Sequence, residues 1–128
     1  MMKTERVLQA LVILIVAASA AGFATGAWAQ AYPTKPIRIV VPFPAGGTSD
    51  ILSRAIGQKL TEEWKQQVIV DNRPGASANI GAEIVVKSPP DGYTLLAAST
   101  IHTINPSLYS KLSYDPVRDF TPITLIAA

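Results

Sequence analysis

The chain has 128 residues, with 11 Lys and Arg against 9 Asp and Glu, a net charge of +2 and no cysteine. The lack of thiols excludes disulfides, a thiolate metal site, a Cys nucleophile and a lipidated N-terminal Cys. With no Lys/Arg cluster and no aromatics interleaved among basic residues, the charge carries no nucleic-acid footprint.

The elements follow in chain order. Lys3 and Arg6 form a basic n-region, Ala10–Ala18 an apolar h-region, and Ala27-Trp28-Ala29 an A-x-A signal. Residues 1–29 therefore read as a secretory signal peptide cut before Gln30. The strict apolar run is much shorter than the ~20 residues a membrane span needs. Residues 30–128 keep a net charge near +1, since the leader carries Lys3 and Arg6 against Glu5. They suffice for one small domain.

After a Pro-rich lead-in to Pro36, Ile37–Val41 reads as a strand ended by Pro42. Thr48 or Ser49 is the expected cap of a helix to about Gln66, with Ile51, Leu52, Ala55, Ile56, Leu60 and Trp64 as its apolar stripe. Val68–Val70 is a second strand. Asn72–Asn79 is a loop, and a short helix to about Lys87 is expected to pack through Ile80, Ile84 and Val85. Pro89-Pro90-Asp91-Gly92 is a turn, Tyr93–Ala98 a third strand, and Ser99–Asn105 a polar loop. A helical turn is expected near Ser107–Lys111, and Pro122–Ala128 reads as a fourth strand.

Strands alternating with helices imply an α/β fold with a parallel sheet. Right-handed crossovers place the loops Phe43–Ser49, Asn72–Asn79 and Ser99–Asn105 at one edge, outside the carboxyl ends of the strands, where such sheets bind ligands. The first loop is the sharpest signal. Val41-Pro-Phe-Pro-Ala-Gly-Gly-Thr-Ser-Asp50 runs from a strand through a Gly-Gly turn into a helix N-terminus, where free N–H groups and the helix dipole favour an anion. The same residues also fit a tight turn with no ligand.

The motifs together resemble the extracytoplasmic solute receptors of tripartite tricarboxylate transporters, the Bug proteins. The residues that carry the resemblance are Tyr32-Pro33, Lys35-Pro36-Ile37-Arg38, the Val41–Asp50 loop, Asn72-Arg-Pro-Gly-Ala76, Asn79-Ile-Gly-Ala82 and Pro90-Asp-Gly-Tyr-Thr-Leu95, with Asn105-Pro-Ser-Leu-Tyr109, Tyr114-Asp-Pro116 and Asp119-Phe-Thr-Pro122 further on. The resemblance implies a type II periplasmic-binding-protein lobe and no cofactor. It also implies capture of a small di- or tricarboxylate or related acid between two lobes, and delivery to membrane permease subunits. Family members are much longer, so the chain reads as a truncated first lobe with the second missing. A further departure is Ser77-Ala78, where the family usually has two glycines.

The implied binding residues are Phe43, Pro44, Ala45, Gly46, Gly47, Thr48, Ser49, Asp50, Asn79, Ser99, Thr100 and His102. Asp50 in the first helical turn also serves the helix dipole, and at close range it would repel an anion. His102 is the only histidine and makes no metal site without partners. Arg73 before Pro74 reads as an exposed loop residue rather than a carboxylate clamp. Two rival readings are a non-functional exported fragment and a periplasmic hydrolase using Ser49, His102 and Asp50 or Asp119. The hydrolase lacks a G-x-S-x-G elbow.

Overall fold

The computed structural model describes residues 31–127; the expected signal peptide lies outside them. Three parallel strands, β1 (Ile37–Val41), β2 (Val68–Asn72) and β3 (Thr94–Leu96), form one sheet in the order β2-β1-β3. Ile39 stands opposite Val70 on one side and Leu95 on the other. β1 is the central strand, and apart from the half-buried Arg38 its residues are apolar and buried. Ile37, Val40 and Val41 are fully buried, and Ile39 and Ala97 complete the core with Phe43, Val68, Val70 and Leu95 packed against it.

The crossover helices are α1 (Thr48–Trp64) and α2 (Asn79–Val86). The buried positions of α1 are Asp50, Ser53 and Gly57, small or polar residues at helical spacing that bring its backbone close to the sheet. A Cβ on Gly57 would lie 3.3 Å from Val68 Cγ1. Consequently Leu52, Ile56 and Leu60 are only half-buried, and Ile51 is exposed despite its place in the expected stripe. Likewise Ile80 at the start of α2 is exposed, while Ile84 and Val85 are half-buried. α2 sits tightly against the end of β1: a Cβ on Gly81 would fall 2.7 Å from Pro42 Cβ.

At the amino edge of the sheet, Tyr32, Trp64 and Tyr93 make an aromatic cluster, with centroids 5.0 Å apart for Tyr32–Tyr93 and 6.2 Å for Tyr32–Trp64. The Tyr32 hydroxyl donates to Gly92 O at 2.7 Å, and Lys35 pairs with Asp91 at 2.8 Å. This pins the lead-in at the edge opposite the candidate loops.

Four further expectations are corrected. The polar loop after β3 is instead a helix, α3 (Thr100–Leu108), and the helical turn expected at Ser107–Lys111 is only its end. Residues 121–127 form no strand, and Ile123, Leu125 and Ile126 are 74%, 78% and 48% exposed. An apolar run cannot form a strand without a neighbour for its N–H and C=O groups, and none is supplied to it among the described residues. The cap of α1 is Gly47, not Thr48 or Ser49, which are its first helical residues. The parallel α/β sheet itself is as expected.

Candidate functional site

The three strands are parallel, so the segments leaving them meet at one edge. The first leaves β1 through Pro42 and turns at Gly46, whose φ of +84° a side chain would strain. Phe43 is half-buried against the core, whereas Pro44, Ala45, Gly46, Gly47 and Thr48 are exposed. Helix geometry leaves the N–H groups of Thr48 and Ser49 without intrahelical acceptors.

Asp50 is 3% exposed and works inward. Its Oδ2 accepts the Gly46 N–H at 2.8 Å and Arg54 Nε at 3.1 Å. Its Oδ1 lies 3.0 Å from Arg54 Nη2, close enough for attraction but not aligned as a hydrogen bond. Arg54 and the Gly46 N–H hold the carboxyl down to about 2, so it is ionised and its charge is met by the guanidinium. The Gly46 N–H, one of the two glycine donors in the sequence-based site, is therefore already engaged. Arg54 Nη2 reaches on to Asn72 Oδ1 at 3.0 Å, and Asn72 Nδ2 donates to Phe43 O at 3.1 Å. A closed ring of bonds thus fixes the first loop to α1 and to the end of β2. Arg54 was missed in the sequence, although its position four residues after Asp50 is an ion-pair spacing.

The second segment follows β2. Asp71 accepts from Arg38 and from Arg73, whose Nε is 3.0 Å away. Burial pushes the Asp71 carboxyl up, but the two guanidinium groups outweigh it and hold it below the usual range. Arg73 is exposed and spent on this pair. Gly75, Ala76, Ser77 and Ala78 then all have positive φ, of 126°, 46°, 52° and 72°. Asn79 opens α2, 8% exposed, and its Oδ1 accepts both Asn105 Nδ2 and the Tyr114 hydroxyl at 2.7 Å. Only its amide donors are left for a ligand.

The third segment leaves β3. Ser99 stands at the N-cap of α3 and Thr100 is its first residue. His102, two residues on, stacks on Tyr114 at 5.5 Å and meets Phe120 edge-on at 4.7 Å. Burial lowers its pKa, outweighing a hydrogen bond at the Pro116 backbone, so the ring is neutral at pH 7. Asn105 and Tyr114 carry no local sequence signal, because their partners lie 26 and 35 residues away. An open concavity lined by Pro106, Tyr109, Tyr114 and Asp115 lies elsewhere and includes none of the Phe43–Asp50 loop. No group of three His, Cys, Asp or Glu that could hold a metal occurs among the described residues.

The parallel sheet with its crossover helices is part of a periplasmic-binding-protein fold: it matches the solved periplasmic binding protein BugD at a TM-score of 0.64 and 35% identity, over 72% of this chain and 31% of that one. Residues 52–128 match the tripartite tricarboxylate transporter family receptor, and the chain belongs to that family. It is 44% identical over 98 residues to a UPF0065 protein from the tcbD-tcbE intergenic region of a Pseudomonas species, covering 77% of this chain and 29% of that one. It is 35% identical over 118 residues to BugT of Bordetella pertussis, covering 91% and 36%. Among solved structures, a periplasmic transporter matches at a TM-score of 0.70 and 43% identity, over 73% of this chain and 32% of that one. Malate-bound MatC of Rhodopseudomonas palustris matches at 0.67 and 32%, over 74% and 33%, and an adipate-bound R. palustris protein at 0.62 and 43%, over 67% and 29%. The chain thus spans about a third of the length of its relatives. These relatives are solute receptors, not enzymes. Both acids of the rejected hydrolase reading are otherwise engaged, Asp50 by Arg54 and Asp119 by the Asp115 N–H at 2.7 Å.

Proposed function

We propose that this chain supplies one wall of a receptor that captures a small di- or tricarboxylate for a tripartite tricarboxylate transporter. The observation that carries the reading is the start of α1: an exposed Gly46-Gly47-Thr48 turn at the carboxyl edge of a parallel sheet, with its one nearby carboxylate already neutralised. The acid would receive hydrogen bonds from the N–H groups of Gly47, Thr48 and Ser49, and from the Thr48 and Ser49 hydroxyls. Ser99, Thr100 and the Asn79 amide would border it from the neighbouring segments. His102 would act through the packing of its ring, as would Phe43. Malate and adipate on two structural neighbours support a dicarboxylate.

The same reading makes residues 1–29 a cleaved signal peptide, the periplasm the site of action, and membrane permease subunits the recipients of the ligand. No helix among the described residues is long and apolar enough to cross a membrane. Isothermal titration of malate, adipate and citrate into a full-length receptor carrying this segment tests the assignment. Micromolar binding is expected, weakened by Thr48→Val/Ser49→Ala, which removes the two hydroxyls and keeps the backbone N–H groups. No binding of any of the three acids would refute the assignment, and unchanged affinity in the double variant would remove the hydroxyls from the site. Mass spectrometry of the exported protein should begin at Gln30, and retained Met1–Ala29 would refute cleavage.

A further inference from the structure

We propose that Asn105 is a positioning residue: its side-chain amide clamps the Ala76–Ala78 turn in a left-handed conformation and so sets where Asn79 and α2 begin. Three consecutive residues with side chains have φ of 46°, 52° and 72°. That region is one non-glycine residues enter only singly unless neighbouring structure holds them there. Local sequence does not supply the hold, since Ser77 and Ala78 have no preference for it. The hold comes from across the edge. Asn105 is fully buried on α3, and its Nδ2 donates to Ser77 O at 2.8 Å and to Asn79 Oδ1 at 2.7 Å. The two acceptors flank Ala78, so one NH2 group brackets the turn. The Tyr114 hydroxyl also donates to Asn79 Oδ1, at 2.7 Å, and the Tyr109 hydroxyl donates to the exposed Ser77 Oγ at 2.8 Å.

The geometry gives Asn105 a role that neither a hydroxyl nor a carboxylate fills: two donors on one nitrogen, fixed by burial, facing two acceptors. It also couples the second candidate segment to the helix that begins at the third. That link to ligand capture rests on the function proposed above; the conformation of the turn does not.

The test is nuclear magnetic resonance of the isotope-labelled chain. A positive φ brings a residue's amide and α protons close, so Ser77 and Ala78 should show strong intraresidue cross-peaks. Asn105→Leu keeps the branched heavy-atom skeleton and removes both donors, and should weaken those peaks to the level of ordinary residues. Tyr109→Phe should leave them unchanged. Peaks retained in Asn105→Leu, or lost equally in Tyr109→Phe, would overturn the assignment. Should Asn105→Leu fail to fold, Asn105→Leu/Ser77→Gly/Ala78→Gly is expected to recover the fold, because glycine holds a left-handed turn without a clamp. Failure of the triple variant would show that Asn105 is general core packing and end the proposal. The readout needs no acid, so a clamp seen in this chain, together with a full-length receptor carrying this segment that binds none of malate, adipate and citrate, would refute the proposed function alone.

Discussion

The Asp50 carboxylate reaches back to the Gly46 N–H at 2.8 Å, so the residue expected to face a ligand instead ties down the turn that would bind it. This is the carboxylate half of a capping box, set one residue earlier than usual. It frees the sequence-based site from its main electrostatic objection. A carboxylate beside an anion site is repulsive, but here Arg54 meets the charge and the carboxylate is buried.

The depressed Asp50 pKa sets the pH dependence of stability. The group titrates near 3.8 when unfolded and near 2 when folded. Above about pH 4 it is ionised in both states and its contribution is fully present; that contribution is lost as pH falls through 2. Asp71 shifts in the same direction. Urea midpoints should be flat above pH 7, fall slightly below about pH 6.5, where His102 is protonated more readily in the unfolded than in the folded chain, and fall further below pH 4. Asp50→Asn should lower the plateau and make the acid limb shallower. An acid limb as steep as the parent's would show that Asp50 is not strongly paired.

The left-handed turn predicts unequal gains from glycine. The left-handed region costs a non-glycine residue about 1–2 kcal/mol, against roughly 0.5–1 kcal/mol for the extra freedom glycine brings to the unfolded chain. At exposed Ala76 the difference should appear as a gain of roughly 0.5 kcal/mol. At Ala78, 7% exposed, a buried methyl worth about 0.8 kcal/mol is also lost, and Ala78→Gly should be neutral or worse. Equal effects in urea unfolding would mean that burial of the Ala78 methyl does not distinguish the two sites.

Much of this architecture was legible in the sequence. Ile37–Val41 and Thr48–Trp64 declare themselves by a β-branched run and a glycine turn before a long periodic segment. α3 was hidden because Thr100, Ile101, Thr103 and Ile104 are β-branched and Pro106 lies inside it, all poor helix signals. What holds it is distant in sequence: His102 on Tyr114 and Phe120, and Asn105 on Ser77 and Asn79. The fourth strand was read from propensity alone, and propensity provides no partner. Gly46 and Asp50 are both candidate residues from the sequence, but the bond between them has no local signal. The helix dipole explained Asp50 well enough to hide Arg54.

Two glycines predict opposite outcomes. A Cβ on Gly81 would lie 2.7 Å from Pro42 Cβ and 3.0 Å from Pro42 Cα, in backbone that cannot give way. Gly81→Ala should therefore destabilise by about 1–3 kcal/mol. Gly47 has φ −77°, and its Cβ would make only an ordinary 3.5 Å contact with Pro44 O. Gly47→Val should leave the fold intact yet bar a carboxylate from the helix N-terminus. Losing two hydrogen bonds to a charged group, at about 1.5–3 kcal/mol each, would weaken binding roughly a hundredfold or more in a full-length receptor. Unchanged affinity in Gly47→Val would exclude this loop as the anion site.

A polypeptide limited to residues 30–128 should bind its acid weakly or not at all. The candidate donors sit on an open edge: Pro44 to Thr48 are exposed, and no segment among the described residues covers them. A binding site that holds a small acid buries most of its surface, and one wall leaves water competing for the carboxylate. The same polypeptide exposes Ile123, Leu125 and Ile126 in a run with Val117 82% exposed nearby, an apolar surface that favours self-association. Its relatives are about three times as long. The measurement is a thermal melt of the purified 30–128 polypeptide together with titration of citrate, malate and adipate. A broad or concentration-dependent transition, with no heat of binding, is expected. A sharp cooperative melt with micromolar affinity for any of the three would show that the α1 N-terminus captures the acid unaided.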